Sequence, residues 1–161
     1  MSRISKENYY LNIAKTVASR GTCIRRKFGA IIVKDDVIIS TGYAGAPRGR
    51  VNCCDLNYCL RDKMNIPRGE RYELCRSVHA EANAIIAASR DRMLGSTLYL
   101  ACIDPKTGDT VAGTCCCQMC KRMVINAGIE KVVVMESDSE FSVYTVSDWI
   151  DNDDSLGQIG Y

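Results

Sequence analysis

The chain has 161 residues, 47% hydrophobic and 25% charged, which is the usage of a globular domain and excludes a disordered or fibrous polypeptide. No apolar run approaches the roughly 18 residues that span a bilayer. The start, Met1-Ser-Arg-Ile-Ser-Lys-Glu-Asn8, lacks the apolar stretch of a secretion signal, so a single cytoplasmic domain over residues 1–161 is expected.

The net charge of +2 divides unevenly: residues 1–76 carry a balance of +8 and residues 77–161 one of −6. A basic first half suits a phosphate-bearing partner, or simply a solvated surface. Ser5–Arg20 places Tyr9, Tyr10, Ile13, Ala14 and Val17 at helical spacing, with Gly21 as a stop. Ala30–Val33 and Val37–Ile39, separated by Lys34-Asp35-Asp36, read as an antiparallel hairpin. Residues 43–76 hold six Arg, four Cys, three Gly and two Pro with little periodicity. A loop this long inside a domain is usually functional or held by something.

His79–Ser89 is apolar nearly all round and predicts a central helix, with Ser77 as its N-cap. Thr97–Ala101 predicts a strand, Asp104–Thr110 a turn, Cys117–Ala127 a helix closed by Gly128, and Lys131–Met135 a further strand. Val143–Ile150 predicts a short helix within an acidic segment, 136–161, that follows a core of about residues 5–135. Helix, hairpin, helix, strand, helix, strand is the order of an α/β domain with helices on both faces of a mixed sheet.

Ten cysteines in a chain without an export signal point to thiol chemistry or metal rather than disulfides. Two short segments stand out: His79-Ala80-Glu81, which holds the one histidine, and Cys117-Gln-Met-Cys120. One imidazole and two thiolates make three zinc ligands and leave a fourth position open to water. Cys117 and Cys120, three apart at a helix start, face one way. Glu81 lies about 200° around an ideal helix from His79, so both reach one site only from a first turn where the chain is still entering. A carboxylate that does not bind the metal can move the protons of a hydrolytic reaction.

H-A-E followed by C-x-x-C resembles the zinc-dependent cytidine deaminase superfamily. The wider likeness, over roughly residues 5–135, is to the deoxycytidylate (dCMP) deaminases. It is carried by Lys27–Val33, Ile39–Gly49, Val51–Asp55, Cys75-Arg-Ser-Val-His-Ala-Glu-Ala-Asn-Ala-Ile85 and Cys117–Ile129. The resemblance implies a three-layer α/β/α sandwich and hydrolysis of dCMP to dUMP and ammonia. It implies His79, Cys117 and Cys120 as zinc ligands and Glu81 as proton shuttle, with the Ala80 N–H and the Cys115 carbonyl on the base edge. It further implies a homo-oligomer and, in some members, dCTP and dTTP as effectors. Two positions depart from the family: Cys116 stands where Pro usually precedes C-x-x-C, and Ala44 replaces Asn in Gly42-Tyr43-Ala44-Gly45.

A second, structural zinc on Cys23, Cys54, Cys59 and Cys75 would pin the 43–76 loop, with Cys53 as an alternative to Cys54. Arg48, Arg50 or Arg76 could hold a phosphate. Two other readings stay open: a deaminase of another cytosine nucleoside, nucleotide or nucleic-acid base, and a non-catalytic zinc-stapled binding module. Nucleic acid is not the expected partner, because no long basic stripe with interleaved aromatics occurs.

Overall fold

The structure is a computed structural model that describes residues 1–153. Helix α1 (Lys6–Ala18) begins at Ser5, whose hydroxyl accepts from the Asn8 N–H at 3.2 Å. Strands β1 (Lys27–Lys34) and β2 (Val37–Tyr43) form the expected antiparallel hairpin. Asp35 and Asp36, both at positive φ, make its two-residue turn. The 43–76 region contains α2 (Cys53–Leu56), α3 (Leu60–Lys63) and a single 3-10 turn, Tyr72–Leu74. Then follow α4 (Ala80–Ile86), α5 (Arg90–Met93), β3 (Thr97–Ile103), α6 (Gln118–Ala127), β4 (Lys131–Met135), β5 (Phe141–Thr145) and α7 (Val146–Asp151).

The five strands lie in the order β2-β1-β3-β4-β5, with β3 and β4 parallel and the other neighbours antiparallel. Alternation along the central strands sorts their side chains into two cores. Ile31, Val33, Tyr99, Val133 and Met135 meet Tyr10, Leu11 and Ala14 of α1. Ala30, Ile32, Leu98, Leu100, Val132 and Val134 meet α4, α6 and α7 on the other face. The result is the three-layer α/β/α sandwich that the resemblance implies.

Two glycines set how close the layers come. A Cβ on Gly29 would stand 2.2 Å from the Ala14 carbonyl oxygen of α1. One on Gly42 would stand 2.4 Å from the Ala80 carbonyl oxygen and 2.4 Å from the Ala84 N of α4. Helix α4 therefore lies directly on β2. It is fastened there by the Ser40 hydroxyl, which donates to the Ala84 carbonyl at 2.7 Å, and by the Asn83 amide, which donates to the Tyr43 carbonyl at 2.8 Å.

Three expectations change. The N-cap of α4 is His79 itself, not Ser77, because His79 is the last residue with extended backbone. The helix expected through Ser89 ends at Ile86 and restarts as α5. Residues 143–145 belong to the edge strand β5, and the helix starts only at Val146. The last eight residues of the acidic segment lie outside the described residues. Among the described residues, no helix is long and apolar enough to cross a membrane.

Candidate active site

Two helix starts meet beneath the end of the sheet. His79 caps α4 in extended backbone (φ −69°, ψ 155°), and Cys117 caps α6 in the same way (φ −67°, ψ 167°). From these positions Nδ1 of His79 lies 3.5 Å from Sγ of Cys117 and 3.4 Å from Sγ of Cys120. A zinc ion with ordinary Zn–N and Zn–S bonds and tetrahedral angles separates nitrogen and sulfur by about 3.6 Å. The three ligand atoms lie within 4.8 Å of one another, and among the described residues no fourth His, Cys, Asp or Glu joins them. These residues fit a three-ligand zinc site with a corner left for water.

Cys116 does not supply the fourth ligand. Its buried thiol faces Cys115 and Glu81, and the Cys115 partner together with burial pushes it well above the ordinary thiol range. The Cys117 thiol is brought down to about 4, first by the Cys120 thiol and then by His79, against its burial. For His79, burial opposes the charged form, yet the Cys117 and Cys75 sulfurs outweigh it and raise the imidazolium to about 10. Without metal the site thus already holds a thiolate beside a ring that pairs with it.

Glu81, the second residue of α4, is only 4% exposed. Burial pushes its carboxyl up, while its own N–H, His79 and the Cys116 thiol pull the other way. Turning into the helix between positions 79 and 81 resolves the spacing constraint: His79 lies before the first turn and Glu81 within it. A buried carboxyl raised above the ordinary carboxylate range is suited to take up and release protons.

Beside these groups opens a cavity of about 450 Å³, within the size range of small-molecule sites. Ala80 and Cys115 line it, as do Phe28, Ala44, Tyr72 and Thr114. The Thr114 hydroxyl is buried within the wall and has no hydrogen-bond partner among the described residues. Tyr72 meets His79 edge-on at 5.1 Å between ring centres, and the Arg61 guanidinium lies 4.4 Å above Tyr72.

Arg48 and Arg76 do not line this cavity. Arg48 is exposed on its loop, and Nε of Arg76 donates to the Val51 carbonyl at 2.5 Å. The arginines that do line it are Arg25, Arg26, Arg61 and Arg68. Sequence reading missed them, and Thr114, because nothing local separates them from solvated residues of the same types. Cys23, Cys59 and Cys75 share the cavity wall. Cys54 is exposed, with its thiol 3.9 Å from Asp55, whereas Cys53 is buried. The Cys53 thiol is raised first by burial and then by Cys23, Cys75 and Cys59. No three of these sulfurs come within the 4.8 Å spacing of the first cluster.

The model of the cytidine and deoxycytidylate deaminase zinc-binding region matches residues 4–136. The deoxycytidylate deaminase of Mycobacterium phage D29 is 36% identical over 138 residues, covering 83% of this chain and 96% of that protein. The Saccharomyces cerevisiae deoxycytidylate deaminase is 34% identical over 137 residues, covering 85% of this chain but 39% of the yeast protein. The chain thus spans well under half the length of that yeast relative. In three dimensions, the dCMP deaminase of cyanophage S-TIM5 in apo form superposes with a TM-score of 0.54 at 25% identity, covering 83% of this chain and 84% of that one. The match runs through both helix starts that grip the candidate metal position, and the chain belongs to the cytidine and deoxycytidylate deaminase family.

Proposed function

We propose that this chain hydrolyses the 4-amino group of dCMP, giving dUMP and ammonia. The observation that carries the reading is the convergence of His79, Cys117 and Cys120 on one ion-sized position, with buried Glu81 beside it and a nucleotide-sized cavity alongside. The relatives named deoxycytidylate deaminases support the choice of substrate. Zinc held by the three ligands would supply Lewis acidity and a source of hydroxide near neutral pH. Glu81 would take one proton from the attacking water and pass it to N3 of the ring, then take the remaining proton from the new C4 hydroxyl and pass it to the departing amine. The Ala80 N–H and the Cys115 carbonyl hold the base edge from the cavity wall.

The open fourth position speaks against a zinc-stapled binding module, which would need a closed ligand set. The test is Glu81→Gln. Zinc content and fold should be retained while dCMP turnover falls by roughly 10²- to 10⁴-fold. Unchanged turnover would remove Glu81 from its role. A substrate panel of dCMP, deoxycytidine, dCTP and single-stranded DNA separates dCMP deamination from its neighbours, and faster turnover of any other substrate would overturn the assignment.

The proposal takes residues 1–161 as a single cytoplasmic domain. Support for a reducing setting comes from the ten cysteines, all free thiols. A homo-oligomer is supported by the apolar groove between α4 and α6, where Ile86 is exposed beside Met119 and Met123. dCTP and dTTP are the effectors to test, against the background that the buried Ala44 side chain has no polar group and its backbone is already paired with Phe28 and Thr22. For a second zinc, the support is the shared environment of Cys23, Cys53, Cys59 and Cys75, with Cys53 in place of Cys54. Two zincs per chain would establish it and one would remove it.

A further inference from the structure

We infer that Glu136 is a positioning residue for the reaction: its carboxylate holds the segment that presents the Cys115 carbonyl to the base. The inference rests on the dCMP reading and adds to it a residue outside the cavity, in the acidic segment to which the sequence assigns no role.

The link between β3 and α6 divides into two halves. From Asp104 to Val111 it is tied to itself and to the strand. The Gly108 N–H donates to the Asp104 carbonyl at 2.8 Å, the Asp104 N–H to the Asp109 carbonyl at 2.9 Å and the Val111 N–H to the Cys102 carbonyl at 2.9 Å. From Ala112 to Cys116 the chain is neither strand nor helix. Yet this second half carries Thr114, Cys115 and Cys116, all in the cavity wall, and ends at the metal ligand Cys117. Among the described residues, its one backbone hydrogen bond to another element runs from the Gly113 N–H to Oε2 of Glu136, at 2.6 Å.

Glu136 is itself held from two sides. It follows β4, the strand parallel to β3, so it stands at the end of the sheet from which the link departs. Its own N–H donates to the Glu140 carbonyl at 2.9 Å in the turn into β5. Its second carboxylate oxygen, Oε1, accepts from the Ser142 hydroxyl of β5 at 2.9 Å. One half-buried carboxylate thus spans from the sheet edge to the link, and an ionised acceptor makes a hydrogen bond roughly twice as strong as a neutral one. Gly113 meets it at φ +70°, a conformation that a side chain would strain. Cys115 lies two residues further on, so a swing of the Gly113 peptide displaces the Cys115 carbonyl. Cys117 keeps its place, as the cap of a helix packed on the core.

The test compares Glu136→Ala, Glu136→Gln and Ser142→Ala with the wild type, with turnover expressed per bound zinc. Glu136→Ala should lower kcat/KM for dCMP by about 10- to 100-fold, the larger part in kcat, at unchanged zinc content. Glu136→Gln keeps an oxygen for the Gly113 N–H and should recover part of that loss. Ser142→Ala frees only one end of the carboxylate and should show a smaller loss; it decides the matter if Glu136→Ala does not fold. A purely structural role would lower Tm or zinc content and leave turnover per bound zinc unchanged, and that result would overturn the inference. Hydrogen exchange separates the clamp from the reaction. The Gly113 amide should exchange about tenfold faster in Glu136→Ala, with α6 unaltered. Unchanged exchange at Gly113 would overturn the inference even if turnover fell. If exchange quickens but the wild type does not deaminate dCMP, the clamp stands and the assignment of the reaction falls.

Discussion

One wall of the cavity begins at two helix starts, His79–Glu81 and Cys117–Cys120, each backed by buried sheet. A second part of the wall is carried by residues 44–76, where no strand occurs and no helix exceeds four residues. The first wall is fixed from behind: Ala80, Ala84, Cys120 and Val124 all stand in the core that covers β1, β3 and β4. The second is fixed from within, by Arg61 reaching back to two carbonyls of its own loop. Bond-making chemistry tolerates little displacement, and it sits on the wall that packing holds.

The sharpest way to break the first wall without touching a ligand is Gly42→Ala. The added Cβ meets backbone atoms of α4 at 2.4 Å, and backbone cannot step aside as a long side chain can. Either the protein loses about 1–3 kcal/mol of stability or α4 lifts off β2. Lifting carries His79 and Glu81 away from Cys117 and Cys120, and a shift of about 1 Å can cost on the order of 10²-fold in rate. Lowered Tm together with lowered kcat and zinc content is the expected outcome. An unaltered Tm with full zinc would show that β2 does not set the position of the helix.

The loop part of the wall is loosened by Arg61→Met, which keeps an unbranched side chain but removes the guanidinium from above Tyr72 and the donors to Pro67 and Glu70. Both hydrogen bonds are part-buried, so losing the guanidinium should cost about 1–3 kcal/mol. Zinc content should stay as in the wild type, KM for dCMP should rise more than kcat falls, and protease cleavage between residues 66 and 71 should become faster. Loss of zinc in this variant would mean that the two walls are not independent.

The same division decides what could be read from the sequence. Ligands on a regular element announce themselves by spacing: Cys117 and Cys120 three apart at a helix start, His79 and Glu81 two apart at another, all four now lining or flanking one position. The long-range pairing of those two segments is legible from ligand chemistry, one imidazole and two thiolates making an open zinc site, with the family resemblance beside it, and not from periodicity. Arg25, Arg26, Arg61 and Arg68 were not legible because each looks like any exposed arginine, and only the folded loop shows that Arg61 is its clamp. Ser77 misled as a cap because the chain stays extended for two more residues, which is what lets His79 turn inward. Strand β5 escaped because its residues alternate between exposed and half-buried at a sheet edge. That pattern leaves no apolar run to recognise.

The smallest effect lies far from both walls, where α1 is tied to the hairpin turn. The Tyr10 hydroxyl donates to Asp36, which also pairs with Lys6 at 3.1 Å. The hydroxyl first, and Lys6 next, hold the Asp36 carboxyl below its ordinary 3.8, while Tyr10 is raised to about 12, chiefly by the same hydrogen bond. A depressed carboxylate contributes its stability above the unfolded value and loses it as pH falls through that value towards the folded one. Tyr10→Phe should therefore lower Tm slightly at pH 7, and the gap to the wild type should close as the pH drops below about 4. Activity and zinc content should not move, because α1 packs on the face of the sheet away from α4 and α6. A gap that persisted at low pH would assign the effect to the hydroxyl's hydrogen bond with the neutral carboxyl rather than to the ionised carboxylate.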